Sequence, residues 1–150
     1  MLNNLINGVI LTPIKRISVY GGDVMHALKK NESSFCGFGE AYFSSIKYNH
    51  IKAWKKHNEM TVNLIVPIGR ISIVIHDDKK NSIEYGHFNE LVVGEDNYFR
   101  VTIPPLLCFG FKGLSKENSL ILNIANIIHD PNEMENIAID KIKFNWDKII

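Results

Sequence analysis

Hydrophobic and polar residues alternate in short runs along most of the chain. Residues 61–68 (TVNLIVPI) and 70–76 (RISIVIH) are rich in β-branched side chains, and Pro67 and Gly69 mark a tight turn at their junction. Further runs of this kind are 41–47, 50–54, 88–93, 98–103 and 119–125. Strands at about ten-residue spacing, with no long helical period, are typical of an all-β sandwich or barrel. We expect one β-barrel domain that spans residues 1–150.

One segment near the end of the chain has the pattern of a helix start instead. In residues 130–137 (DPNEMENI), Asp130 suits a helix N-cap and Pro131 suits the first helical position. The sequence therefore predicts a short C-terminal helix over these residues.

Composition and charge exclude several classes of protein. The 150 residues are 45% hydrophobic, and 17 Lys plus Arg face 16 Asp plus Glu, which gives a formal net charge of +1. Nucleic acid or an anionic membrane surface would require a basic face, so neither is expected as a partner. Cys36 and Cys108 lie too far apart for a zinc ribbon, and we expect no disulfide. No signal peptide or membrane helix is predicted, and the expected location is cytoplasmic.

Three segments carry side chains that could bind a ligand or take part in catalysis. Residues 51–57 (IKAWKKH) hold three lysines and a histidine, which fits either a solvated edge strand or a strand that binds an anionic ligand. Residues 101–115 (VTIPPLLCFGFKGLS) are consistent with a structural hairpin. In residues 126–131 (NIIHDP), His129 lies beside Asp130. It is either a base whose pKa Asp130 adjusts, or a histidine without a catalytic role that happens to precede a helix N-cap.

Taken in order, five segments resemble the dTDP-4-dehydrorhamnose 3,5-epimerase (RmlC-like) branch of the cupins. They are GEAYFSSI (39–46), IKAWKKH (51–57), MTVNLIVPIGRISIVIHDDK (60–79), IPPLLCFGFKGLS (103–115) and IIHDPNE (127–133). The resemblance implies a jelly-roll β-barrel, a homodimer, and an isomerase that needs no metal or other cofactor. Family enzymes act on nucleotide-linked 4-keto-6-deoxy sugars, in which the ketone acidifies the protons on C3 and C5. The implied setting is deoxysugar synthesis for surface polysaccharide, such as the O-antigen of lipopolysaccharide.

The chain departs from the family pattern at three positions. Lys52 stands where the family has an arginine that meets the nucleotide phosphates, and Lys55 stands where it has the catalytic histidine. Phe109 replaces the histidine of the second motif. Lys55 and Phe109 also remove two ligands of the metal-binding cupins, so we expect no metal. In the family a local irregularity turns the arginine and histidine positions into the barrel, and the same irregularity here would direct Lys52, Lys55 and His57 into the cavity.

The resemblance also suggests roles. We expect His57 to act as the base and Lys55 to stabilise the enolate oxygen, although the reverse assignment, with a desolvated Lys55 as base, stays open. His129 is the candidate for the second acid or base, and Tyr42 could protonate from the far face. The candidate substrate-binding residues are Lys52, Glu40, Tyr42, Asn63, Arg70 and Phe109. Trp54 and Trp146 are expected to be packing residues.

The reduced set of family groups favours a single inversion. The leading hypothesis is an epimerase that inverts C3, or C3 and C5, of a dTDP- or CDP-linked 4-keto-6-deoxyhexose. A 3,4-ketoisomerase on the same substrates is the first alternative. A sugar-nucleotide-binding cupin without catalysis is the second, and the loss of both family histidines favours it.

Overall fold

Nearly all of the regular secondary structure is β-strand. The computed structural model describes residues 4–149, within which the strands are β1 (Ile10–Pro13), β2 (Arg16–Ile17), β3 (Val24–Met25), β4 (Glu40–Ile46), β5 (Ile51–His57), β6 (Val62–Ile68), β7 (Arg70–His76), β8 (Phe88–Gly94), β9 (Phe99–Ile103), β10 (Cys108–Gly113), β11 (Ser119–Ala125) and β12 (Met134–Asn136). All seven runs predicted from alternation are strands. β10 was not predicted as one, because its glycines and the prolines before it indicate a turn.

Two antiparallel five-stranded sheets face each other. The first sheet has the order β1-β9-β6-β11-β4 and the second has the order β12-β5-β10-β7-β8, while β2 and β3 pair separately. From β4 to β7, and again from β8 to β11, consecutive strands alternate between the two sheets. This exchange is the jelly-roll arrangement, in which both sheets bury their inner faces against each other. The prediction of an all-β fold is confirmed.

The second sheet is covered on both faces. Ile71, Ile73 and Ile75 of β7 belong to the core between the sheets, whereas Val74 belongs to a second cluster with Trp54, Cys108, Trp146 and Ile149. The C-terminal segment supplies part of that cluster, and the rings of Trp54 and Trp146 lie 5.2 Å apart. Both tryptophans are buried, so the prediction that they are packing residues is confirmed.

The predicted helix over residues 130–137 is wrong. Asp130 does act as a cap, since its side chain accepts a hydrogen bond from the Asn132 N–H, but it caps only one turn of 3-10 helix, Pro131–Glu133. The chain then forms β12, which pairs with β5. Backbone pairing with an available strand edge therefore replaces the helical hydrogen bonds of the remaining residues. Within residues 4–149, no helix is long and apolar enough to cross a membrane.

A buried lysine holds the C-terminal segment against the barrel. Lys112 of β10 is 5% exposed, and its Nζ donates to the backbone carbonyls of Trp146 and Ile149, both at 3.0 Å. The positive charge thus lies where a single turn of helix, Trp146–Lys148, presents carbonyl oxygens. This arrangement fixes the segment that covers Trp54.

We expect Lys112→Met to lower the free energy of unfolding by about 1–3 kcal/mol, because the carbonyls of Trp146 and Ile149 lose the hydrogen bonds from the Lys112 Nζ. Urea denaturation measures this change. The matched control is Lys116→Met at an exposed lysine, which should change stability by less than about 0.5 kcal/mol. Equal stability of the two variants would show that the lysine does not hold the segment.

Candidate active site

A cavity of about 350 Å³ lies between the sheets. The first sheet contributes Tyr42, Ser44, Leu64, Ile121 and Asn123, and the second contributes Lys52, Ala53, Trp54, Lys55, Phe109, Phe111 and Asn136, with Ile137 following β12. Its wall is largely apolar, with a few polar groups that come from both sides. Such a lining is typical of a site for a small organic molecule.

An irregularity in β5 brings two lysines to the cavity. Residues three apart on a regular strand face opposite sides, yet Lys52 and Lys55 both line the cavity. The pairing with β10 shifts at this point: Lys55 lies opposite Phe109 and Lys52 lies opposite Phe111. Ala53 and Trp54 of β5 therefore lie opposite the single residue Gly110, and this arrangement is a β-bulge. The peptide bond between Ala53 and Trp54 is cis.

Glycine is required opposite the bulge. A Cβ atom on Gly110 would lie 2.5 Å from the Cβ of Ala53, closer than side-chain atoms pack. The absent side chain allows β10 to approach β5 where β5 bulges. Gly110 thus makes room for the irregularity that directs Lys52 and Lys55 to one side.

The two lysines have different environments. Lys55 is partly buried, and burial lowers its pKa below the ordinary value of 10.5, with a further decrease from the charge of Lys52. Lys52 is exposed, and its Nζ donates to the Ser45 carbonyl at 2.7 Å. The neutral amine, which is the form that accepts a proton, is therefore more accessible at Lys55 than in a free lysine.

The wall from the first sheet carries a tyrosine and its amide partner. Tyr42 of β4 and Asn123 of β11 are direct cross-strand neighbours. The Asn123 Nδ2 donates to the Tyr42 hydroxyl oxygen at 2.9 Å. Asn123 is 4% exposed, whereas Tyr42 is 41% exposed. The cavity therefore has a lysine on one wall and a fixed phenol on the wall from the other sheet.

His57 lies next to the cavity rather than in its lining. The residue is buried, its ring stacks on that of Phe109 with centroids 6.1 Å apart, and its Nδ1 is hydrogen-bonded to the Glu133 carboxylate. Its Nε2 is buried and, among residues 4–149, has no hydrogen-bond partner. The structure thus brings Lys55, and not His57, to the cavity wall.

Glu133 organises the segment that joins β5 to β6. One carboxylate oxygen bonds His57, and the other accepts the N–H groups of Asn58, Glu59 and Met60. Burial by itself raises the pKa of Glu133, but the hydrogen bonds from His57, Glu59 and Met60 outweigh burial, and the net pKa is lowered. A charged carboxylate is therefore built into the fold at this point.

Four of the predicted site residues lie elsewhere. His129 is exposed in the loop after β11, and Arg70 lies in a separate cleft. Glu40 begins β4 but is not part of the cavity lining. Asn63 faces the other side of β6 from the cavity-lining Leu64, where its Oδ1 accepts from the Thr102 hydroxyl at 2.7 Å. Strand alternation and loop position, which the motif order does not reveal, account for Asn63, Arg70 and His129. Glu40 has the same parity as Tyr42 but lies at the first position of β4, beyond the cavity lining.

Several residues of the site were not predicted. Asn123 has a sequence signal, because it occupies an inward position of β11 (SLILNIA) where alternation calls for an apolar residue. Ser44 and Asn136 have no comparable signal, and Glu133 is separated by 76 residues from its partner His57. Among residues 4–149, no three His, Cys, Asp or Glu side chains converge as a metal site requires.

We expect Glu133→Gln to destabilise the protein most near neutral pH. The folded-state pKa of Glu133 lies below the ordinary value of 4.5, so its stabilisation is fully present above that pH and is lost as the pH falls through the folded pKa. The difference between wild type and variant in urea unfolding should therefore shrink from about pH 7 to pH 3. Glu135→Gln, at an exposed position in β12, is the control and should show a small difference at both pH values. A Glu133 difference that does not vary with pH would contradict the interpretation.

Comparison with known proteins relates this geometry to a family. The chain matches no protein-family model. It is 33% identical to a dTDP sugar isomerase from Desulfovibrio desulfuricans, whose structure superimposes with a TM-score of 0.90 over 94% of this chain and 92% of that one. The dTDP-4-dehydrorhamnose 3,5-epimerase from Sulfolobus tokodaii shares the fold at 22% identity, with a TM-score of 0.81 over 95% of this chain and 84% of that one.

A curated relative agrees with these structures. A probable low-salt glycan biosynthesis epimerase from Haloferax volcanii is 32% identical over 91 residues, which is 60% of this chain and 58% of that protein. The match thus spans less than two thirds of that relative. The identity to the Desulfovibrio protein extends over nearly the whole of both chains. With its jelly-roll fold and its cavity between the sheets, the chain belongs to the RmlC-like family of dTDP-sugar epimerases and isomerases.

Proposed function

We propose that this protein inverts C3 of a nucleotide-linked 4-keto-6-deoxyhexose by proton transfer next to the ketone. The observation that carries the proposal is the cavity with Lys55 on one wall and Tyr42 on the wall from the opposite sheet. Inversion requires removal of a proton from one face of the carbon and delivery of a proton to the other. Groups on facing sheets meet that requirement.

The reaction begins with the neutral amine of Lys55. Lys55 removes the proton on C3, which the adjacent ketone acidifies, and the electron pair moves into an enolate. Ser44 and Asn136 line the same cavity and provide hydrogen-bond donors for the enolate oxygen. Tyr42 then delivers a proton from the opposite face. The exposed Lys52, near the same cavity, supplies a positive charge for the diphosphate.

Lys55 is assigned as the base in preference to His57. The assignment rests on position, because Lys55 lines the cavity whereas His57 is buried behind Phe109. It also rests on electrostatics, because burial and the charge of Lys52 lower the pKa of Lys55. In this proposal, His57 holds Glu133 and supports the cavity wall through Phe109 rather than contacting substrate.

A 3,4-ketoisomerase is the second candidate. Its reaction uses the same proton abstraction but moves the ketone from C4 to C3, and the relative with 33% identity is described as a dTDP sugar isomerase. The glycan biosynthesis epimerase from Haloferax supports a role in glycan biosynthesis. Within that role we propose deoxysugar supply for a surface polysaccharide such as O-antigen. We further propose that the protein is a cytoplasmic homodimer that accepts dTDP- or CDP-linked sugars and needs no metal or other cofactor.

The first test is solvent deuterium incorporation, followed by NMR, with dTDP- and CDP-linked 4-keto-6-deoxyglucose. We expect deuterium at C3 with inversion of that centre. Deuterium at C5 as well would indicate a 3,5-epimerase, and deuterium with a migrated ketone would indicate the isomerase. Binding of both nucleotides without any exchange would contradict the proposal and favour a cupin that binds the sugar nucleotide without catalysis.

Variants of Lys55 test the identity of the base. Lys55→Arg keeps a positive charge but removes the accessible neutral form, so the rate of deuterium incorporation should fall by about 100-fold or more. Lys55→His restores a base of lower pKa, and the rising limb of its pH–rate profile should move toward about pH 6.5. Lys47→Arg, at an exposed lysine outside the cavity, is the matched control and should retain the wild-type rate. A near-normal rate in Lys55→Arg would return the base role to His57.

A further inference from the structure

The hydrogen bond between Asn123 and Tyr42 has a defined direction. The Asn123 Oδ1 accepts the backbone N–H of Asn63 on the neighbouring strand at 3.3 Å. A side-chain amide has one oxygen that accepts and one nitrogen that donates. With Oδ1 facing a backbone donor, the Nδ2 faces Tyr42 and can only donate to it, at 2.9 Å.

This direction determines where the Tyr42 proton can go. A tyrosine hydroxyl has a single hydrogen, and its oxygen accepts from other donors. Because Asn123 donates to that oxygen, the hydroxyl hydrogen does not point at Asn123. Tyr42 lines the cavity, so its hydrogen is available to a molecule bound there.

The register of the first sheet fixes the pair. In β11, Asn123 lies directly opposite Tyr42 of β4 on one side and Leu64 of β6 on the other. Ile124, the next residue, faces the other side of the sheet together with Asn63. Burial of Asn123, at 4% exposure, keeps water from competing for its amide. The backbone of β6 therefore orients an amide that in turn orients the phenol.

We propose that Asn123 is a positioning residue that holds Tyr42 as a proton donor toward the substrate. The inference rests on the proposed function and deepens it. In the delivery step the Tyr42 O–H bond breaks, the electron pair of the enolate forms the new C–H bond with that proton, and the ketone re-forms. The resulting phenolate accepts the Asn123 N–H and regains a proton from solvent after product release, while the Lys55 ammonium releases to solvent the proton that it took from C3.

Replacing Asn123 by aspartate changes the amide to a carboxylate of nearly the same shape and reverses the direction of the hydrogen bond to Tyr42. In Asn123→Asp, the carboxylate still accepts the Asn63 N–H, but it has no hydrogen to donate to Tyr42. The Tyr42 hydroxyl would then donate to the carboxylate, and its hydrogen would turn away from the cavity. Delivery should fail, whereas abstraction by Lys55 on the other wall should continue.

The experiment measures two rates in deuterated solvent with dTDP-4-keto-6-deoxyglucose. One is deuterium exchange into recovered substrate of the original configuration, which reports abstraction and return by Lys55. The other is formation of the inverted product, which requires Tyr42. We expect Asn123→Asp and Tyr42→Phe each to slow inversion by about 100-fold or more while exchange persists. The double variant should be no slower than Tyr42→Phe, because Asn123 acts through that hydroxyl.

The controls separate positioning from a general effect on the fold. Asn126→Asp changes an asparagine at the end of the same strand whose Oδ1 also accepts a backbone N–H, from Thr61 at 2.7 Å, and it should retain both rates. Asn123→Leu removes the hydrogen bond that holds Tyr42 without adding a charge or an acceptor. It should also slow inversion while exchange persists, and it serves if the aspartate variant does not fold. Binding of dTDP to each variant confirms an intact cavity.

Equal loss of exchange and inversion in Asn123→Asp, or a further loss from Asn123→Asp in the Tyr42→Phe background, would overturn the positioning role. A wild-type rate of inversion in both Asn123 variants would overturn the positioning role as well, and the proposed function would stand. Absence of both exchange and inversion in the wild type would overturn the proposed function together with this inference.

Discussion

The mismatch between β5 and β10 is the constraint on which the candidate site depends. Ala53 and Trp54 occupy the length that Gly110 alone occupies on the partner strand, and this brings Lys52 and Lys55 to one side. Without the bulge, strict alternation would direct one of the two lysines away from the cavity. The same bulge is compatible with Trp54 packing into the outer cluster, where Trp146 covers it. One local irregularity thus links the cavity wall to the attachment of the C-terminal segment.

Two buried charged residues, Lys112 and Glu133, fix the segments that pack next to β5. At one end, Lys112 supplies a donor to the carbonyls of the C-terminal segment. At the other, Glu133 accepts three backbone N–H groups and bonds His57, so that the chain entering β6 is tied to β12. Each charge is compensated by several hydrogen bonds, which a buried charge requires.

The sequence predicted the strands well. In β11, alternation of apolar and polar residues matches alternation in burial, whereas β6 and β7 are buried on both faces and were recognised by their β-branched residues. It failed for β10, where glycine is needed for close approach to β5, and for residues 134–136, where pairing with a distant strand outweighs a local helix signal. For the site, motif order located Lys52, Lys55, Tyr42 and Phe109 at the cavity. Five other predicted residues lie outside the cavity lining, because the side of a strand and the end of a barrel that a residue occupies depend on long-range register; they are Glu40, His57, Asn63, Arg70 and His129. Asn123 and Glu133 act through partners far away in the sequence, so no local motif contains them.

The proposed reaction uses a lysine rather than a histidine as the base, so the pKa of that lysine must be lowered. Histidine has a pKa near neutral without help, whereas the pKa of a lysine must be lowered by burial or by a nearby positive charge. The cavity provides both, because Lys55 is partly buried among apolar groups and Lys52 lies on the same wall. The charge of Lys52 favours the neutral amine of its neighbour Lys55, and in the proposed reaction it would also attract an anionic nucleotide. A bound diphosphate would partly neutralise Lys52 and weaken the second effect, while the sugar would displace water and strengthen desolvation of Lys55. In the proposed reaction, the balance of these two opposing effects would set the basicity of Lys55 in the complex and would link substrate binding to the chemical step through the same two side chains.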